Sequence, residues 1–252
     1  MFRVELIELL TREIAMCKQL YLIPFLLVSL TSHAATEGAS SFWSGDVEVG
    51  AVFTSGNTEQ SNFKLRTDIA REEGQGKHSF HADTYRAETD GDKTANKTYL
   101  FYRYDYSIDE KQRVFGRLAY ENDEFSGFDT QVDATTGYNR TLFQEENWFL
   151  TAEAGIGARF TEFETGDDTS EALIRLAGFY EWNIGDNALF KQFVGFEIGE
   201  ELTTTRSETS LETNIVGNLA MKLAINVKHN SDVLPGKDKT DTESTVTVVY
   251  RF

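Results

Sequence analysis

The chain is poor in residues that crosslink or interrupt structure, with one cysteine and two prolines among 252 residues. Cys17 stands alone, so no intrachain disulfide can form. It precedes an apolar run rather than following one, which argues against a lipoprotein anchor. Pro24 lies in that run and leaves Pro235 as the sole proline of the remainder, fewer than a soluble chain of this length normally uses. Basic residues are also few: Lys and Arg number 24 against 41 Asp and Glu, for a net charge of −17. So acidic a surface argues against nucleic acid as a partner. Long apolar runs are missing too. Leu20–Leu30 is too short to span a bilayer, and no helical apolar stripe follows it. There is no Gly-rich phosphate loop on a strand–helix junction and no G-x-S-x-G elbow, so the sequence offers no cofactor.

The apolar run ends in Ser32-His33-Ala34, with small residues at the two positions a signal peptidase inspects, and cleavage is expected after Ala34. Met1–Ala15 carries Glu5, Glu8 and Glu13, unlike a basic leader, whereas Met16-Cys17-Lys18 opens an ordinary one. The expected division is a signal peptide over 1–34 with Met16 as the alternative start, a short periplasmic segment over 35–41, and a folded domain over 42–252.

What is abundant favours strands: 19 Phe and 10 Tyr, with frequent Thr and Val. Alternating segments are expected near 42–53, 60–70, 77–87, 96–106, 113–125, 131–143, 148–160, 170–182, 188–202, 207–218, 221–230 and 242–252. In each, one stripe is apolar and the other polar or charged. The charged stripes include Lys64 and Arg66, Arg103 and Asp105, Arg113 with Arg117 and Glu121, Glu153 with Arg159, and Arg175. A soluble barrel has to fill its interior with apolar side chains, so here the apolar stripe has to face lipid. The predicted fold is all-β: a transmembrane, antiparallel, up-and-down β-barrel of about 12 strands in the bacterial outer membrane. An even count puts both termini in the periplasm. Trp43, Trp148 and Trp182 then form an aromatic girdle at the periplasmic rim, and Phe53, Phe63 and Phe160 an outer one. Lipid and lipopolysaccharide are the expected surroundings.

The chain ends in a strand whose Val248, Tyr250 and Phe252 share one face. This pattern resembles the C-terminal signal read by the barrel-assembly machinery, with Thr247 where that signal usually has glycine.

Three stretches carry a family resemblance: Thr54-Ser55-Gly56-Asn57-Thr58, Tyr120-Glu121-Asn122-Asp123-Glu124-Phe125 and Lys239-Thr240-Asp241-Thr242. Over roughly 43–252 the chain resembles the YdiY-like family of salt-induced outer-membrane proteins, catalogued as a domain of unknown function. The resemblance implies an outer-membrane location and a link to envelope stress, and it supplies no catalytic residue.

Candidates for chemistry are thin. Lys228-His229-Asn230-Ser231-Asp232 places a His two residues before a Ser, as in outer-membrane lipid deacylases, but no acidic residue is placed to orient the ring. His78 and His81 fall on opposite faces of one strand, with His81 and Asp83 inward, so no metal site is expected. Acidic stretches at Glu88–Asp92 and Glu162–Asp168 fall in outer connections, where carboxylates could share divalent cations with lipopolysaccharide. The reading that emerges is a non-enzymatic structural barrel with a narrow, charged lumen. The alternatives are a small-solute channel, whose selectivity would rest on unpaired members such as Lys64, Arg66 and Arg103, and more remotely a lipid-modifying enzyme.

Overall fold

The computed structural model describes residues 42–252, except 55–59, 125, 127, 164–165, 167 and 234–235 and the side chains of 52–54. The signal peptide with its alternative start, the 35–41 segment, residues 55–58 of the Thr54–Thr58 turn, the Phe53 side chain, Pro235 and part of the Glu162–Asp168 stretch therefore lie outside what is described. Among the described residues no helix is long and apolar enough to cross a membrane.

Twelve antiparallel strands close into one barrel in simple sequence order. They are β1 (Phe42–Thr54), β2 (Gln60–Glu73), β3 (Gly76–Thr89), β4 (Asp92–Ser107), β5 (Gln112–Asp123) and β6 (Phe128–Gln144). The circuit continues through β7 (Trp148–Phe163), β8 (Asp168–Ile184), β9 (Ala188–Ile198), β10 (Thr203–Val216), β11 (Leu219–Asn230) and β12 (Thr240–Arg251). β1 closes on β12 through Asp46↔Arg251 to Val49↔Val248. A ring of twelve strands about 4.8 Å apart, tilted about 40°, has a backbone diameter of about 24 Å.

β9 was expected to run to 202 and β10 to start at 207. Instead β9 stops at Ile198, because residues 199–202 form a turn in which Gly199 N–H donates to the Leu202 carbonyl (3.1 Å). That frees Thr203–Arg206 to open β10.

The barrel is inside-out relative to a soluble one. Ile156 is 68 % exposed on the outer face, whereas Arg159, three residues on, is wholly buried inside. The tryptophans sit on the outer face at the end where β1 begins and β12 ends, the terminal end of the barrel. Trp148 is the register partner of Trp182, which in turn pairs with Phe190. Arg71 lies over the Trp43 ring at 5.5 Å. β10 departs from the apolar outer stripe, presenting Thr205, Ser207 and Thr209. The Gln192 amide of β9 donates to the Ser207 hydroxyl (3.1 Å) and accepts from the Thr209 hydroxyl (2.6 Å), so it satisfies both within the wall.

The closing strand is fitted to its neighbour. Phe252 and Gly45 exchange backbone hydrogen bonds of 3.0 and 3.1 Å. The Phe252 ring lies so close over Gly45 that a Cβ there would come within 2.6 Å of it. Thr247 points inward, and its hydroxyl donates to Glu48 Oε2 at 3.2 Å.

Candidate functional site

The lumen is the candidate site, because the two-residue period of every strand sends its charged stripe there. All ten charged positions read from the sequence (Lys64, Arg66, Arg103, Asp105, Arg113, Arg117, Glu121, Glu153, Arg159 and Arg175) face inward. Lys64, Arg66 and Arg103 are not unpaired, which corrects the expectation that such residues would set selectivity. Lys64 contacts Glu243 at 2.5 Å and Asp83 at 3.0 Å, Arg66 contacts Glu208 at 2.6 Å, and Arg103 holds Glu153 and Asp105 at 2.7 and 2.8 Å. Asp83 comes to Lys64 from the adjacent strand and Asp105 to Arg103 from the same one, while Glu243, Glu208 and Glu153 belong to non-adjacent strands and are reached because the basic side chains are long. Among the described residues, Arg113 is the member of the ten without an ion pair.

Glu197 on β9 is the hub. It is 2 % exposed and draws Arg175 to 2.6 Å, Arg206 to 3.3 Å, and Arg117 and Arg159 each to 3.6 Å. From this hub the pairs spread outward. Arg159 chelates Asp133 with two bonds of 2.8 Å, Arg175 holds Glu153 at 2.9 Å, and Arg206 bonds Glu121. Lys228 also reaches Glu121 at 2.5 Å. β11 and β5 lie on opposite walls of the barrel, so this contact bridges the lumen. Glu197 and Glu121 had no signal in the sequence that would single them out as hub and bridge. Their parity was legible, but their reach across the barrel depends on its closure.

Arg103 is oriented from beneath. The Phe115 ring, 3 % exposed, lies against Gly137 and Gly155, where a Cβ would come within 2.9 and 3.2 Å of it. The Arg103 guanidinium stacks on this ring at 4.1 Å, adding a cation–π contact to its ion pairs.

The bridge leaves the two sides of the lumen unequal. On the β5–β8 side, in the half remote from the termini (the distal half), Gln131, Asp133, Arg159 and Thr161 are each at most 4 % exposed, and none lines open space. Beside this packed region a cavity of about 640 Å³ remains, open on the β2–β4 and β11–β12 side of the distal half and lined from all twelve strands toward the terminal end. Its wall runs from Asp241, Lys97 and Glu243 past Arg66 and Glu208 to Lys77, Lys191 and Asp46. Acidic and basic side chains lining it are equal in number, twelve of each. His81 lines it as well, with Nδ1 2.6 Å from Asp68 Oδ1 and its ring stacked on Phe101 at 4.7 Å. His78 points outward to the Tyr102 hydroxyl at 2.7 Å, so the two imidazoles do not meet.

Balance inside contrasts with imbalance at the distal rim. Glu88, Asp90 and Asp92 flank one connection, Glu124 and Asp129 the next, Glu162 and Asp168 a third, and Glu200, Glu201, Asp232 and Asp238 the remaining two with described acids. Among the described residues, Arg86, Lys93, Lys237 and Lys239 oppose them. No group of three or more described His, Cys, Asp or Glu residues is placed to hold a metal ion.

The His229–Ser231 pair does not assemble into a nucleophile. His229 Nδ1 contacts the Thr240 hydroxyl at 2.8 Å on the outer face, while the Ser231 hydroxyl accepts the Thr203 N–H at 2.9 Å.

Comparison with known proteins agrees with the architecture. A curated relative, "Uncharacterized protein YdiY" of Escherichia coli (strain K12), is 25 % identical over 207 residues, covering 82 % of each chain. Among solved structures, the NanC porin superposes with a TM-score of 0.50 at 12 % identity, over 82 % of this chain and 98 % of that one. The KdgM porin gives a TM-score of 0.46 at 13 % identity, over 83 % and 99 %. The first of these likenesses establishes a porin-like fold, consistent with the bacterial outer membrane. Residues 47–252 match the family described as "Protein of unknown function, DUF481", and the chain belongs to that family.

Proposed function

We propose that the protein is a narrow passive channel of the outer membrane, with both termini in the periplasm. The observation that carries this reading is the cavity within the lumen, which is lined by residues of all twelve strands and reaches from the distal to the terminal end. No described segment folds inward to fill it, and its charged walls would hold water. The orientation is supported by the connections: those at the terminal end, such as 74–75 and 217–218, are short, and the longest, 231–239, lies at the distal end. A second reading, a sealed structural barrel in keeping with a role in envelope stress, is favoured by the Lys228–Glu121 bridge across the lumen.

Refolded protein in a planar bilayer separates the two. Small, resolved unitary currents are expected of the channel. A membrane that stays electrically silent after verified insertion would overturn it in favour of the sealed barrel.

A further inference from the structure

We infer that this channel, on the reading proposed above, passes small cations in preference to anions, and that the preference is set at its distal mouth rather than in its lumen. Two observations combine. The lumen is a poor discriminator because its lining charges are equal in number and mostly paired within ion-pair distance, so the field of each is cancelled by its partner at close range. The two mouths are not balanced in this way. At the distal rim, acids such as Asp92, Glu162, Glu201 and Asp238 stand outside any described ion pair and face few cations. At the terminal end rim acids such as Glu110, Glu145, Glu146 and Asp186 face more cations, among them Arg71, Lys111 and Arg140, and the cavity lining there carries Arg113 beside Lys77 and Lys191, which pair with Glu72 and Glu212 at 3.0 Å each. An ion entering from the distal side therefore crosses a negative potential before it reaches a neutral passage.

The size of the mouth makes such a potential effective. A backbone diameter of about 24 Å puts the axis about 12 Å from the rim. That is slightly more than the Debye length of about 10 Å at 0.1 M salt, so the field of the rim reaches the axis attenuated to about a third and acts more strongly off the axis. Surface potentials of several kT are common around clustered charge, and only one kT at the aperture would enrich a monovalent cation over a monovalent anion about sevenfold. At about 1 M salt the Debye length falls to about 3 Å, and the axis is screened from the rim. A selectivity set by the mouth must therefore fade with salt. One set by a charged constriction inside would persist, because a dry, narrow path excludes the screening ions.

The test is the reversal potential under a KCl gradient, recorded on the full barrel in planar bilayers. Near 0.1 M salt, potassium should pass several-fold more readily than chloride, and near 1 M the ratio should approach unity. The fourfold variant Asp92→Asn, Glu162→Gln, Glu201→Gln and Asp238→Asn should lose most of the preference while keeping its conductance at high salt. The matched terminal-end variant Glu110→Gln, Glu145→Gln, Glu146→Gln and Asp186→Asn should retain it. All eight side chains are exposed and lie outside the ion pairs that build the lumen, and heat-modifiable migration checks that each barrel is folded. Chloride preference, or a cation preference that survives high salt or the distal variant, would overturn this inference while leaving the channel reading intact. Absence of any current would overturn both.

Discussion

Replacing Glu197 with glutamine keeps the shape of the hub and removes its charge. Three of its four guanidiniums retain another carboxylate: Arg159 keeps Asp133, Arg175 keeps Glu153, and Arg206 keeps Glu121. Arg117 does not. Its remaining contacts are the Tyr99 hydroxyl and the face of Phe101 at 4.9 Å, and its Nη1 is buried without a hydrogen-bond partner. Breaking a buried ion pair from one side costs about 3–5 kcal/mol, and the surviving pairs put Glu197→Gln near the lower end, about 3 kcal/mol. With a urea slope of about 2 kcal/mol per molar, the unfolding midpoint in lipid vesicles should fall by about 1.5 M. If the stranded arginine is the cause, adding Arg117→Met should restore about 1 kcal/mol or more. A Glu197→Gln barrel within about 0.5 kcal/mol of wild type would show that luminal water already screens the hub, and the reasoning would fail.

Arg117→Ala alone removes the least tethered cation of the network and opens space beside the cavity, so unitary conductance should rise above wild type; an unchanged current would place Arg117 off the ion path. Deleting Phe252 exposes Gly45 and leaves the seam of the barrel unfinished, and the folded fraction in the outer membrane should drop, as read by heat-modifiable gel migration. Undiminished assembly would remove the terminal aromatic from the assembly signal. Gly137→Val would drive a side chain into the neighbouring strand and the Phe115 ring, costing at least about 2 kcal/mol and weakening the support of Arg103, which urea unfolding would report; a neutral result would contradict that packing.

The barrel was legible in the sequence because its two signals are local. Alternation needs only neighbouring residues, so Ile156 and Arg159 could be assigned to opposite faces without knowing their partners. The misplaced boundary between β9 and β10 marks where local signals end: Gly199-Glu200-Glu201-Leu202 carries no proline to mark the turn, and the strand-forming residues of β10 begin before the expected position. The site was legible as a set of residues but not as a circuit. Arg206 and Glu121 are 85 positions apart and meet only once the sheet closes. The same closure brings Glu243 to Lys64 and Glu208 to Arg66, which sequence alone left free.

The central claim is that the distal half of the lumen is solid on one side and open on the other. Single cysteines test it directly, since no cysteine lies within 42–252. Asn226 lines the cavity, whereas Thr161 lies in the packed wedge at 4 % exposure. A charged, membrane-impermeant thiol reagent should modify Asn226→Cys and block its current, and should leave Thr161→Cys unmodified. Reaction at Thr161→Cys, or an inert Asn226→Cys in a folded barrel, would contradict the account.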